Sequence, residues 1–210
     1  MRTVPNKCRF KLRKYVLSPI VALILGGMVS GCAFTNISVT LPTQPTSGYS
    51  GGDDRLITVM KFIDQREIKD RIGMQKNGYG MDTANAIADQ SVDAWLSARL
   101  ADELKAVGFQ VVGDGGQPKA IKLQGYLLKL FAEPVQQWTT VDVETDLDVR
   151  IKLSRPEELE AERRYFIKGV EQGLMSLTDA FNGSVNKATD ALMKRLVPDI
   201  INLLTKYPEK

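Results

Sequence analysis

Histidine is absent from all 210 residues. That absence removes Ser-His-Asp and Cys-His catalysis and any zinc site built on imidazole. Cysteine is nearly absent too. Cys8 and Cys32 are the only two, both near the N-terminus, so a disulfide-dense scaffold is excluded. The first 31 residues hold no acid. No apolar run reaches the roughly 20 residues that a membrane-spanning helix needs. No segment repeats internally. What remains is 43% hydrophobic and 25% charged, which excludes a wholly disordered, collagenous or polytopic membrane chain.

The N-terminus carries Arg2, Lys7, Arg9, Lys11, Arg13 and Lys14, then an apolar run from Val16 to Val29. A basic stretch followed by a short apolar one is the layout of a secretory signal. Pro19, Gly26 and Gly27 interrupt the run, which weighs against a retained anchor. It ends in Val29-Ser30-Gly31-Cys32, which resembles the lipobox of bacterial lipoproteins. Small residues let the backbone enter a peptidase cleft, and the thiol takes a diacylglyceryl group before cleavage. The expectations are a signal peptide over 1–31 and a mature chain that begins at an acylated Cys32. Cys8 then leaves with the signal, and the folded domain has no thiol. Six bases leave too, and the formal charge passes from +3 to −3. Nucleic acid is therefore not the expected partner. Two or three acyl chains hold firmly where one is marginal, since each buried methylene contributes about 0.8 kcal/mol. By resemblance to enterobacterial lipoproteins, Ala33 in place of aspartate directs the protein to the outer membrane, facing the periplasm.

Residues 32–54 read as the lipidated cysteine and a flexible tether rich in Ser, Thr, Pro and Gly, with an edge strand possible at Ile37–Leu41. As a coil the tether spans roughly 25 Å. Residues 55–210 read as one domain. Leu56–Ile63 is a buried strand, and 67–83 is a polar loop. Val92, Trp95, Leu96, Leu100, Leu104 and Val107 recur at three- and four-residue steps and predict a helix, with Ser91 or Asp89 at its start and Gly108 past its end. Phe109–Val112 is a short strand. Ala120–Glu133 is a long one whose alternation slips at Leu127-Leu128, predicting a bulge, and Pro134 ends it. Thr140–Leu153 alternates cleanly, with one face for the core and one for solvent. Arg163–Gly173 is another strand. A helix spans about Ser184–Leu204, with a kink or a separate last turn at Pro198. The order β-α-β-β-β-β-α gives an α+β two-layer sandwich, a mainly antiparallel sheet with two helices on one face.

Candidate sites are few. Asp142, Glu144, Asp146 and Asp148 form an acidic row, a possible docking face. Alternate residues on a strand stand about 7 Å apart, from a rise of about 3.3 Å each, so the row is a line and not a metal cage. Pairing with Arg163, Lys168 or Lys122 is the plain alternative. Asp64 and Arg66 close the first strand as a possible loop site, or simply tie the loop down. Asn77-Gly-Tyr-Gly80 lacks a P-loop lysine and the dinucleotide spacing, so phosphate binding is not expected. Trp138, between Pro134 and the clean strand, is a possible partner anchor. No Gly-x-Ser-x-Gly motif is present. No catalytic residue, metal or cofactor is assigned.

The lipobox, Ile57–Arg66, Ile72-Gly73 with Asn77–Gly80, and Leu104–Val111 occur here together with long strands and a terminal helix. In this the chain resembles the YajG-like family of bacterial lipoproteins, over roughly 37–205. The resemblance supports the topology and the envelope location. It carries no enzyme activity, and related domains accompany transporters or secretion pores. The expectation is a non-enzymatic accessory domain that binds an unidentified envelope protein. The alternative is a periplasmic carrier or receptor for an apolar or cell-wall ligand, associated with a transport system, with a pocket lined by residues such as Phe62, Leu127 or Phe131.

Overall fold

Two kinds of periodicity divide the fold: alternating residues build one large sheet, and helical stripes build its cover. The structure is a computed structural model that describes residues 35–45, 48–113, 120–137, 140–155, 159–173 and 176–206. The clean alternation becomes β8 (Val141–Arg155), with Val143, Thr145, Leu147, Val149, Ile151 and Leu153 buried. It pairs antiparallel along its whole length with β7 (Ile121–Gln136) and β9 (Leu159–Gln172). The register shifts between Leu127 and Lys129, where the alternation slipped.

The other edge of β7 carries short parallel strands laid end to end. These are β2 (Leu56–Val59), β3 (Ile63–Asp64) and β4 (Gly73–Lys76). β6 (Gln110–Val112) adds to β2, β5 (Asp82–Ala88) to β4, and β1 (Ile37–Val39) to β5. Helix α1 (Val92–Ala106) packs on β2, β3 and β6, and α2 (Leu177–Lys206) on β8 and β9. The predicted stripe on α1 is buried, and Gly108 takes φ +97°, the left-handed conformation of a helix stop. The open α+β sandwich is confirmed, with both helices sharing one layer.

Some expectations need correction. Residues 67–83 are not one loop, because β4 and the start of β5 lie within them. The core side of β4 and β5 is made of Gly73, Ala84 and Ala86, which carry too little hydrophobicity to mark a strand. Pro134 does not end β7. Ala132 N–H donates towards Ile72, on the β4 side, so the N–H that Pro134 lacks also belongs to that side and the β8 ladder is spared. α2 runs unbroken through Pro198 and starts earlier than predicted. The Lys194 carbonyl left without a helical donor by Pro198 accepts the Tyr49 hydroxyl instead, at 3.4 Å.

The segment read as a tether is largely sewn to the domain. Ile37, Val39 and Leu41 are buried, and the Leu41 N–H donates to Asp89. The Pro42 carbonyl accepts the Trp95 indole N–H at 2.7 Å. Gly52 N–H donates to Val107 O at 2.9 Å, and a Cβ on Gly52 would sit 2.2 Å from the Gly108 carbonyl carbon. Only glycine permits that approach.

Candidate functional site

The end of β3 places Asp64 and Arg66 side by side. Arg66 Nε and Nη2 donate to the two Asp64 oxygens at 3.0 and 2.9 Å. Its main-chain N–H also donates to Asp64, and its remaining reach goes to the carbonyls of Arg71 and Lys69. Burial raises the Asp64 pKa, but the Arg66 bonds and charge more than offset this and hold the carboxyl below its usual range. The pair thus staples loop 65–71.

A polar cleft of about 210 Å³ opens beside it, closed by Lys69–Ile72, the end of β5 and the start of α1. Asp93 on its rim pairs with Lys61 at 2.7 Å and accepts the Ser91 hydroxyl and the Ala94 N–H. The Lys61 bond is the main cause that lowers its pKa to about 2. Ser91 holds the cap position, yet its hydroxyl bonds Asp93 rather than a helix N–H. Asp64 and Asp93 both stay ionised at neutral pH, which unsuits them as general acids there.

The acidic row lies on the open face of the sheet and is paired across strands. Asp148 takes Arg164 through two bonds of 3.0 and 2.6 Å. Asp146 pairs with Lys129 at 2.7 Å, and Glu144 with Lys168 at 2.6 Å. Asp142 accepts the Thr140 hydroxyl. Lys168 is one of the expected partners, but Arg164 and Lys129 stand where Arg163 and Lys122 were expected. Register explains this. Arg164 shares the face of Asp148, Arg163 is on the opposite pleat, and Lys122 faces Ser154 at the far end. Three of the row's four acids are therefore neutralised across strands. Among the described residues, no group of three or more His, Cys, Asp or Glu is placed to hold a metal ion.

The residues suggested for an apolar pocket do not converge. Leu127 is fully buried, and the Phe62 ring fills the space in front of Gly125, 2.3 Å from where a Cβ would stand. Phe131 faces the other way, opposite Asp146 on the open face. Cys32, the lipobox Val29, Ser30 and Gly31, and Trp138 lie outside the described residues.

One polar cluster escaped sequence reading. Arg99 and Glu103 on α1 form a 2.5 Å ion pair with both side chains fully buried, and Arg99 reaches Asp190 on α2 at 3.5 Å. Their four-residue spacing was visible, but nothing in the sequence marked that face as covered.

A family model described as "Uncharacterized lipoprotein" matches residues 54–201. None of the curated proteins matches the chain. Among solved structures, a Xanthomonas campestris protein is similar with a TM-score of 0.58 at 13% identity, over 81% of this chain and 97% of its own. At that identity the likeness concerns the fold alone. A minor lipoprotein from Acinetobacter baumannii aligns with a TM-score of 0.38 at 15% identity, over 55% of this chain and 87% of its own. Among the described residues, no helix is long and apolar enough to cross a membrane.

Proposed function

The chain belongs to the YajG-like family of uncharacterized lipoproteins, and on that premise we propose that it is an acyl-anchored accessory domain, not an enzyme, that docks another envelope protein on the open face of β7–β9. The lipobox ending in Cys32 supports the anchor, and Ala33 supports the outer membrane facing the periplasm.

The observation that carries the docking role is the uncovered face itself. Among the described residues the three long strands have helices on one side only, and the other side presents Phe166 and Val170, 53% and 41% exposed, on the edge strand. The charges around them are already matched in pairs, so a partner meets an apolar centre within a polar rim, the usual anatomy of a protein interface. The acids serve there as orienting neighbours rather than as a net negative patch.

The test is site-specific photo-crosslinking in the native envelope. A crosslinker at Phe166 is expected to give a discrete adduct that disappears when Val170→Asp is added. One at Lys105, on the exposed side of α1, is expected to give none. The same adduct pattern from both positions contradicts the assignment.

A further inference from the structure

The turn between β4 and β5 pushes Tyr79 and Met81 into solvent, 90% and 59% exposed. The turn is built rather than loose. The Asn77 carboxamide oxygen accepts the N–H groups of Tyr79 and Met81, each at 3.0 Å. Asn77 N–H donates to the Met81 carbonyl and Gly80 N–H to the Asn77 carbonyl, both at 2.9 Å. Gly80 supplies the positive φ of +77° that closes it. Most of the tip's main-chain donors are thus satisfied internally, so the tip can leave water without stranding them.

The direction of β1 sets the end of the sheet at which the chain enters the domain. β1 runs parallel to β5, with Ile37 opposite Ala86, and Asn36 accepts the Asn85 N–H. The chain before Ile37 therefore enters from the end of the sheet where β5 begins, the end that carries the tip. Five peptide steps separate Cys32 from Ile37, and five separate Met81 from Ala86, its register partner. Five residues reach at most about 17 Å. The tether that the sequence suggested, 22 residues long, is in effect only the few residues before β1.

We propose that the Tyr79–Met81 tip is a membrane-contact element: it seats in the interfacial layer of the bilayer that holds the acyl chains of Cys32. Tyrosine is suited to that layer, with an apolar ring and a polar hydroxyl. Lys76 and Asp82 flank the turn, and Lys76 is engaged with Glu133 at 2.5 Å, so the driving force is the apolar tip and not charge. The inference rests on the acyl-anchor reading above, and its test separates the two.

The acylated mature chain is reconstituted into phosphatidylethanolamine–phosphatidylglycerol vesicles. With Cys8 removed and Cys32 acylated, Tyr79→Cys provides a single thiol for an environment-sensitive fluorophore. Lys105→Cys, near the end of α1 and at the opposite end of the sheet, is the control. Expected is co-flotation of both proteins with the vesicles. Lipid-borne nitroxide should then quench the label at 79 several times more than the label at 105. Flotation with equal quenching at the two positions overturns the tip proposal and spares the anchor. Loss of flotation overturns the anchor reading and the tip proposal with it.

Discussion

Arg66, Arg99, Glu103 and Asp148 are charged side chains whose burial has to be explained residue by residue, and in each case a partner explains it. Asp93 shows how such pairing becomes pH dependence. Its folded pKa of about 2 lies below the ordinary 3.8, so its contribution is complete above about pH 4 and is lost as pH falls towards 2. Asp93→Asn is expected to destabilise by about 1 kcal/mol at neutral pH, reduced by solvent screening of the exposed Lys61, and to flatten this acid limb. Denaturant midpoints measured from pH 2 to 7 check both points. The α1–α2 cluster is less forgiving. Glu103→Gln leaves Arg99 short of countercharge inside the protein and is expected to cost about 3 kcal/mol. Arg99→Met with Glu103→Leu is expected to cost less than the sum of the two single changes. A double-mutant cycle by urea unfolding reads this directly.

At the scale of elements, legibility followed side-chain size. The alternation of β8, the stripe of α1 and the slip at Leu127-Leu128 were all written in large residues, and all appear in the structure. β4 and β5 were not legible, because their buried positions are Gly73, which lies against Phe181, and Ala84 and Ala86, and an alternation of alanine with polar residues looks like loop. Pairing within the acidic row was legible in kind and, for Lys168, in partner, whereas the choice of Arg164 over Arg163 depends on register. α2 lies close on β9 for a related reason. A Cβ on Gly169 would stand 2.1 Å from the Ser184 carbonyl oxygen and 2.5 Å from the Ala188 nitrogen, both backbone atoms. Gly169→Ala is therefore expected to lower stability by about 2 kcal/mol, as forced overpacking does. Gly78→Ala, with nothing within 4 Å of its Cβ, should stay within about 0.5 kcal/mol. Thermal unfolding of the two variants side by side tests the contrast.

For the whole molecule, the straps formed by residues 37–45 and 48–54 change the picture of the anchor. The sequence suggested a domain hanging on a long coil. The buried Ile37, Val39 and Leu41 and the Gly52–Gly108 approach instead bind most of that coil to the domain. On the membrane-contact proposal the tip end of the sheet faces the bilayer, which leaves the open face of β7–β9 to the proposed partner. The site in the sense of a partner surface was only half legible. Asp142 to Asp148 lie on the open face that we propose for docking, but Phe166 and Val170, on the same face, sit in a strand whose charged neighbours hid them. Everything in this arrangement depends on acylation at Cys32. Metabolic labelling with a fatty acid, followed by membrane fractionation and mass spectrometry of the mature N-terminus, measures it most directly. The account predicts a labelled, membrane-bound wild-type chain that begins at Cys32 and an unlabelled, unprocessed Cys32→Ser chain. Fatty acid still incorporated into Cys32→Ser, or a wild-type chain that carries none, would contradict it.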